Sequence, residues 1–305
     1  MKRKMYKFVR LKNIKYHFNN RHTMKKVNKE IIRGILNIFT EKPYQIGIAM
    51  SGGGIRGMCH AGVLKALEEF DIRPDIISGV SAGSIVGALY ADGYTPDEIA
   101  GFFENVEFRK MTKVRIPNGG LFGIGSFEKF LAGKLRAKTF EELKIPLRIV
   151  ATNLDKGESV VFSSGNLLDA IIASSTFPVL FTPKVINGEN YIDGGVFKNF
   201  PVSTIRDDCE KVIGINASPL VADKYKMSVL NVAIRSYNFM FKANILHDKE
   251  LCDYLIEPVD MANYETFETE KSREIFELGY QTARTMIEDK LNETKNVNYL
   301  INKKQ

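Results

Sequence analysis

The chain has 305 residues, 44% of them hydrophobic, which is enough to bury a large core in one or two domains. Its 43 Lys and Arg residues outnumber its 36 Asp and Glu residues, but residues 1–33 alone hold twelve basic residues and one acidic residue. The other 272 residues carry 31 basic and 35 acidic side chains, and this weakly acidic balance argues against nucleic-acid binding by this part of the chain.

The cysteines and the hydropathy pattern bear on the compartment. The three cysteines lie far apart and lack C-x-x-C spacing, which argues against a disulfide framework or a zinc site and favours a reducing compartment. The N-terminus lacks the apolar core of a signal peptide, and no uncharged apolar run is long enough to span a membrane. The sequence therefore predicts a cytoplasmic protein, free or peripherally attached to a membrane.

The first predicted strand, IGIAM, runs into a glycine-rich turn and then into a predicted helix from about residue 55 to 70. Gly52, Gly54 and Gly57 satisfy G-x-G-x-x-G, a pattern that suggests a dinucleotide-binding turn in this position. Such a turn gathers unpaired N–H groups at the positive end of a helix, so it suits a phosphate and a transient oxyanion equally well.

The second apolar run ends in GVSAGS and leads into a helix predicted to extend through about residue 92. Gly79, Ser81 and Gly83 form G-x-S-x-G between a strand and a helix, which is the context of a nucleophile elbow. The strained turn lifts the Ser81 hydroxyl out of the backbone, and the flanking glycines remove Cβ atoms that would collide there. Ser81 is the predicted nucleophile.

Each nucleotide-binding interpretation of the glycine turn requires a second set of residues, and the sequence lacks both sets. A dinucleotide fold needs Asp or Glu at the end of the second strand, where residues 78–81 read SGVS. The other phosphate loop needs Lys followed by Ser or Thr, where Met58 and Cys59 stand.

The glycine turn gains a role beside the elbow. Loops at the carboxyl ends of adjacent parallel strands face one crevice, so the amides of Gly53, Gly54 and Ile55 are predicted to form an oxyanion hole for a carbonyl attacked by Ser81. The alternative is a helix-opening turn without a ligand. Arg56 is interpreted as a structural cation that ties the loop down.

Further elements follow the same alternation of strands and helices. The pattern predicts a mobile loop and candidate lid at residues 116–126, and a hairpin that turns at Asn187-Gly188. Residues 211–218 are predicted as the last core strand. The remaining predicted elements are strands at 146–154 and 158–164 and helices at 166–175, 226–246 and 270–291.

The histidines offer no convincing base for Ser81. The order of Ser81, Asp193 and His247 formally matches a hydrolase triad, but a triad histidine ordinarily lies in a loop and His247 lies in a predicted helix. His60 also falls in a predicted helix, where its neighbour Cys59 points about 100° away, so the two do not form a thiol dyad.

A carboxylate is the better base. Asp193 ends an apolar strand and is followed by Gly194 and Gly195, which give close backbone access at a loop facing a crevice. An Asp-Gly turn without a catalytic role is the alternative. Beside an elbow and an oxyanion loop, the catalytic interpretation is favoured.

Four linked motifs carry a family resemblance: GGGIRG at 52–57, GVSAG at 79–83, ASSTFP at 173–178 and DGGVFKNFP at 193–201. In that order and spacing they resemble the bacterial patatin-like phospholipases. The resemblance implies an α/β fold, a three-layer α/β/α arrangement with a mostly parallel central sheet and C-terminal helices. The corresponding domains are a basic N-terminal extension at 1–43, a catalytic domain at 44–218 and a C-terminal helical region at 219–305 packing on it.

Carried over by motif, the resemblance makes Ser81 the nucleophile, Asp193 the base and Gly52 to Gly54 the oxyanion turn, with no metal, cofactor or catalytic histidine. The supporting residues are Arg56, Gly57, Gly79, Gly83, Gly194 and Gly195. It implies a phospholipase A type carboxylic ester hydrolase that acts on phospholipids, lysophospholipids or related acyl esters through an acyl-enzyme. A transacylase with the same dyad and a non-catalytic lipid-binding protein are the alternatives.

The basic segment 1–33 interleaves cations with aromatic and aliphatic residues, which suits peripheral contact with an anionic membrane. A merely solvated extension is the alternative. We expect the chain to co-sediment with anionic liposomes, less so as salt rises, and to lose this binding when residues 1–33 are deleted. Salt-independent binding, or none, would contradict the electrostatic prediction.

Overall fold

The computed structural model describes residues 42–104, 113–114, 122–219, 227–228, 232, 235–236, 239, 244–266 and 268–302. The basic extension 1–33, twelve of the 21 residues of the helix predicted at 226–246 and the first part of the predicted lid lie outside these residues. Pro43–Gln305 form one compact unit. No helix within the described residues is both long and apolar enough to cross a bilayer.

The main elements alternate as the sequence predicts. The strands are β1 (Tyr44–Met50), β2 (Ile76–Val80), β3 (Lys113–Val114), β4 (Phe122–Gly123), β5 (Leu147–Asn153), β6 (Glu158–Phe162), β7 (Lys184–Ile186), β8 (Glu189–Asp193), β9 (Cys209–Ile215) and β10 (Tyr254–Ile256). The α-helices are α1 (Met58–Glu69), α2 (Ala82–Ala91), α3 (Pro96–Phe103), α4 (Gly125–Ala132), α5 (Leu167–Ser175), α6 (Gly195–Lys198), α7 (Leu246–Glu250) and α8 (Ser272–Asn302). Short 3₁₀ turns lie at Gly54–Gly57, Phe140–Glu142, Val202–Thr204, Arg206–Asp208, Val259–Asn263 and Thr269–Lys271.

The core of the fold is an eight-stranded mixed sheet in the order β10-β9-β1-β2-β5-β8-β7, with β6 paired to β5. The neighbours from β10 to β5 run parallel, while β6, β7 and β8 run antiparallel to their partners. Helices cover both sides of the sheet, which confirms the predicted α/β class. The central strands are buried on both faces, and this explains their continuous apolar runs.

Two strands meet end to end along one edge of β5. Strand β2 pairs with β5 up to Val80 opposite Val150, and β8 pairs with it from Asp193 opposite Ala151. Strand β6 pairs with residues 149–153 of β5 and so occupies the other edge. Because a strand has only two edges, β2 and β8 must share one, with their carboxyl ends facing each other. The residues that follow the two strands are therefore brought together.

The C-terminal helix packs on the first helix through glycines. A Cβ atom on Gly62 would collide with the backbone of Phe276, and one on Gly279 would collide with the backbone of Cys59. The close approach of α1 and α8 buries Phe276 completely. The helix predicted at 270–291 is thereby confirmed, although it begins at Ser272 and extends to Asn302.

One prediction about the strands of the sheet is confirmed and another is wrong. The hairpin at Asn187-Gly188 is confirmed, and both residues have the positive φ angles (52° and 82°) that a tight two-residue turn requires. The prediction that 211–218 is the last core strand was wrong, because Tyr254–Ile256 adds a parallel edge strand to β9. A three-residue strand is too short to show a period in the sequence.

Two boundaries also differ from the predictions. The helix expected from residue 55 opens with a 3₁₀ turn, and its α-helical part begins at Met58. The described part of the predicted lid, residues 122–126, contains strand β4 and the start of α4. Glycine content alone therefore misassigned four of these five residues as loop, and Ile124 is the turn between the two elements.

Candidate active site

Ser81 lies on a sharp turn between β2 and α2. Its φ of 51° and ψ of −122° lie in a region that side chains of L-residues rarely adopt. A Cβ atom on Gly79 would come within 2.7 Å of backbone atoms of Gly83 and Ser84, so the turn tolerates only glycine there. This strand-turn-helix geometry is that of a nucleophile elbow.

Asp193 faces Ser81 from the opposing strand end. The Ser81 side chain lies close enough to its carboxylate to lower the pKa of this carboxyl, and the Gly195 amide donates to its Oδ1 at 2.8 Å. Its backbone is fixed as well, because its amide donates to the Thr176 carbonyl at 2.9 Å and its carbonyl accepts from the Thr152 hydroxyl at 3.0 Å. The structure therefore brings the predicted nucleophile and base together.

The Asp193 side chain lies in a nearly dry environment, with a residue exposure of only 1%. Burial raises the pKa of its carboxyl from 3.8 to about 6, and the hydrogen bonds from Ser81 and Gly195 only partly offset this effect. A carboxylate with a pKa near 6 is still ionised at neutral pH and accepts a proton more readily than an ordinary aspartate.

The glycine turn presents amides beside the elbow. The Gly52 amide donates to the Asn199 carbonyl at 3.1 Å, and the Ile55 amide donates to the Thr266 carbonyl at 2.9 Å. Within the described part of the chain, no acceptor is found for the amides of Gly53 and Gly54. Of the four residues predicted for the oxyanion hole, two have amides already used inside the protein.

The turn is held from below by a buried polar network. The Ser218 hydroxyl donates to the Gly52 carbonyl at 2.8 Å, and His60 Nε2 lies 2.8 Å from the Ser51 carbonyl. Because a carbonyl only accepts, His60 must carry its proton on Nε2. Burial lowers the pKa of His60 to about 4 and raises that of Cys59 to about 12, so both are neutral near pH 7.

A cleft opens over Ser81, Asp193 and the turn, with a volume of about 970 Å³ that includes space open to solvent. Most of its wall is apolar. The apolar lining residues are Ile55, Met58, Ala82, Ile85, Phe103, Phe127, Phe177 and Phe181. Such a cavity suits a ligand with a long apolar part and one polar group near Ser81.

Residues from the C-terminal region complete the site, and sequence reasoning missed them. Thr266 contacts three successive residues of the glycine turn, since its carbonyl accepts from Ile55, its hydroxyl accepts from Arg56 Nη2 at 2.8 Å, and its backbone lies against Gly54. Thr266 and Thr269 also line the cleft. No motif in the sequence marks either threonine. The exposed His247 is not among the residues that line the cleft.

Comparison with known proteins agrees with this geometry. The model of the family described as patatin-like phospholipase matches residues 48–205, more than half of the chain. The chain belongs to the patatin-like phospholipase family. The matched residues contain the glycine turn, Ser81 and Asp193.

The relatives that share this patatin-like region differ in how much of their own length it covers. The chain is 34% identical over 170 residues to the lysophospholipase NTE1 of Cryptococcus neoformans, an alignment that covers 54% of this chain and 10% of the fungal protein. It is 30% identical over 215 residues to the uncharacterized protein YqhO of Bacillus subtilis, covering 59% of this chain and 74% of that protein. The chain thus spans about a tenth of the fungal relative.

The matches reach beyond bacteria and agree with the fold. Relatives occur in a fungus, a virus, a bacterium and a nematode, so they do not single out a bacterial branch of the family. VipD from Legionella pneumophila superposes with a TM-score of 0.51 at 15% identity, covering 81% of this chain and 67% of that one. This likeness shows the patatin-like fold.

Burial of Asp193 predicts a stability effect of Asp193→Asn. The folded state raises the pKa of this carboxyl from 3.8 to about 6, so the native protein loses stability as pH rises through that interval and stays penalised above it. We expect the asparagine variant to exceed the parent in unfolding free energy at pH 8, by at most about 3 kcal/mol, and the gap to narrow at pH 4. Urea unfolding of both proteins at the two pH values measures it, and a gap that does not change with pH would contradict the assignment.

Proposed function

We propose that the protein is a serine lipid acyl hydrolase that cleaves carboxylic ester bonds of phospholipids, lysophospholipids or related acyl esters. The observation that carries the proposal is that Ser81 and Asp193 lie at the facing ends of two strands and line the same apolar cleft. Membership of the patatin-like phospholipase family supports the same class of reaction. Phospholipase A activity on intact phospholipids is part of this proposal.

In the proposed mechanism Asp193 takes the proton of the Ser81 hydroxyl while Oγ attacks the ester carbonyl carbon. The C–O bond to the leaving alcohol then breaks, and that alcohol takes the proton from Asp193. This leaves an acyl group on Ser81. Asp193 next removes a proton from water, the water oxygen attacks the acyl carbon, and the fatty acid leaves as Ser81 regains its proton.

The oxyanion formed in each addition step is stabilised by the glycine turn. We assign this role to the amides of Gly53 and Gly54, because those of Gly52 and Ile55 donate elsewhere. Losing one such donor typically costs about 3 kcal/mol, or roughly 10² to 10³ in rate. Gly54 has a φ of 62°, and Thr266 packs against it, so the direction of these amides depends on the C-terminal region.

The apolar wall supports an acyl chain as the occupant of the cleft. Each methylene removed from water contributes about 0.8 kcal/mol, so a long chain gains more binding energy here than a short one. Ile85 lies on α2 one turn after Ser81 and lines the cleft. A fatty acyl chain that reaches the Ser81 hydroxyl would pass close to this side chain.

The wider setting stays a proposal as well. We propose that the chain divides into a basic extension at 1–43, a catalytic domain at 44–218 and a helical region at 219–305. We also propose that the protein is cytoplasmic and contacts membranes peripherally through residues 1–33. The contacts of Thr266 with the glycine turn support a C-terminal region that packs on the catalytic domain.

The proposed dyad of Ser81 and Asp193 predicts which variants lose labelling and hydrolysis. A fluorophosphonate probe should label Ser81 alone, and Ser81→Ala should abolish both labelling and ester hydrolysis. Asp193→Asn should lower kcat by about 10² to 10⁴, because an amide cannot take the proton. In the parent, kcat/KM should fall as pH drops below about 6, since protonated Asp193 is no longer a base.

His247→Ala is the control for these variants, because this exposed side chain is not among the residues lining the cleft, and it should keep the parental rate. Labelling at another serine, or hydrolysis by Asp193→Asn within threefold of the parent, would overturn the dyad.

The acyl-chain assignment predicts a change of chain-length preference. Ile85→Trp should fill part of the cleft and lower kcat/KM for a sixteen-carbon p-nitrophenyl ester about tenfold relative to a four-carbon ester. Val185→Trp, at an exposed position on β7 away from the cleft lining, is the matched control and should leave the ratio unchanged. An unchanged ratio in Ile85→Trp would show that acyl chains do not occupy this part of the cleft.

A further inference from the structure

The junction of β2 and β8 contains a buried side chain that links it to helix α5. The Ser174 hydroxyl accepts a hydrogen bond from the Ser81 amide at 2.8 Å and donates one to the Val150 carbonyl at 2.6 Å. Val150 is the residue of β5 at which the pairing with β2 ends. Ser174 is fully buried, so water does not reach the side chain that bridges these two backbone groups.

The Val150 carbonyl is closely surrounded by the Ser174 hydroxyl and the backbone of Gly194. A Cβ atom on Gly194 would collide with this carbonyl, so β8 ends directly against it. The Ser174 hydroxyl therefore inserts where the two strands meet and where neither continues. Its proton is committed to Val150, which leaves a lone pair of its oxygen facing the Ser81 amide.

The backbone carbonyl and the backbone amide of Ser81 are bound by different parts of the chain. Its carbonyl accepts from the amides of Ser84 and Ile85 and from the Ser84 hydroxyl at 2.7 Å, all within the first turn of α2. Its amide is bound by Ser174, a residue 93 positions away in the sequence. A backbone conformation such as that of Ser81 costs on the order of 1–3 kcal/mol, so it persists only where contacts on both sides enforce it.

The end of α5 also fixes the opposing aspartate. The Thr176 carbonyl accepts from the Asp193 amide, and the Thr176 hydroxyl donates to the Ile172 carbonyl at 2.7 Å. One short segment thus binds the backbone amides of both Ser81 and Asp193. A shift of this segment would move the two reacting side chains relative to each other.

We propose that Ser174 is a positioning residue for the nucleophile: its hydroxyl, bridging Ser81 and Val150, holds the Ser81 backbone at the angle that aims Oγ at Asp193 and the substrate carbonyl. The inference rests on the proposed hydrolase function for its readout. It assigns to the ASSTFP motif a role in geometry that is separate from proton transfer.

The test compares Ser174→Ala with Ser78→Ala. Ser78, on β2, is a fully buried serine like Ser174, and its hydroxyl is hydrogen-bonded to Thr204 at 2.7 Å. Ser78→Ala therefore removes about as much packing and hydrogen bonding as Ser174→Ala does. We expect Ser174→Ala to lower kcat and the rate of fluorophosphonate labelling by about 10- to 100-fold, with KM within about twofold of the parent, because misplacement of a reacting atom acts on the chemical step. Ser78→Ala should keep the parental kcat.

Two further readouts separate positioning from general loss of structure. Ser174→Thr retains the hydroxyl and should recover most of the labelling rate. The acidic limb of the pH profile should stay near pH 6 in Ser78→Ala and Ser174→Thr but move upward in Ser174→Ala, because a Ser81 hydroxyl turned away from Asp193 no longer lowers the pKa of that carboxyl. Should Ser174→Ala lack a cooperative unfolding transition, Ser174→Cys, which keeps nearly the same volume with weaker hydrogen bonding, replaces it in the same comparison.

The outcomes distinguish this inference from the proposed function. If the parent is labelled at Ser81 and Ser174→Ala is labelled as fast as Ser78→Ala, the positioning role is wrong and the hydrolase stands. Equal slowing in Ser174→Thr and Ser174→Ala would also overturn the role of the hydroxyl. If the parent itself is neither labelled nor active, the proposed function fails, and the inference that depends on it fails with it.

Discussion

The shared edge of β5 is the constraint on which the site depends. Strands β2 and β8 run toward each other along this edge, and their pairing ends at the adjacent residues Val150 and Ala151. In an ordinary parallel sheet the catalytic groups come from neighbouring strands about 5 Å apart. Here the ends of two collinear strands are apposed instead, so Ser81 and Asp193 meet without a third side chain to bridge them.

Apposition has an energetic consequence for Asp193, the proposed base. At the junction Asp193 is enclosed by the sheet, which removes water from its carboxylate and raises its pKa. The same burial that makes Asp193 a stronger base destabilises its ionised form in the native state. The fold tolerates this because the Gly195 amide donates to the carboxylate, the Ser81 side chain lowers its pKa, and the surrounding sheet and helices have a large apolar core.

The sequence was informative where a local pattern carries the geometry. The elbow at Ser81, the hairpin at Asn187-Gly188 and the α/β class follow from spacing, turn chemistry and apolar runs. The apposition of β2 and β8, the use of the Gly52 and Ile55 amides, and the contacts of Thr266 depend on pairings between distant segments, and no local pattern encodes them. The short strand β10 escaped prediction for a related reason, since its three residues are defined only by their pairing to β9.

The glycine turn, the proposed oxyanion hole, shows how these distant contacts decide which amides stay available. A glycine-rich turn alone offers several amides with no preferred direction, and its flexibility would spread them over many orientations. Asn199, at the end of α6, accepts from the Gly52 amide, and Thr266, in the C-terminal region, accepts from the Ile55 amide. The Ser218 hydroxyl donates to the Gly52 carbonyl. These contacts leave Gly53 and Gly54 as the donors beside Ser81. In the proposed mechanism, the residues that occupy the other amides of the turn thus decide which amides are left to stabilise the oxyanion.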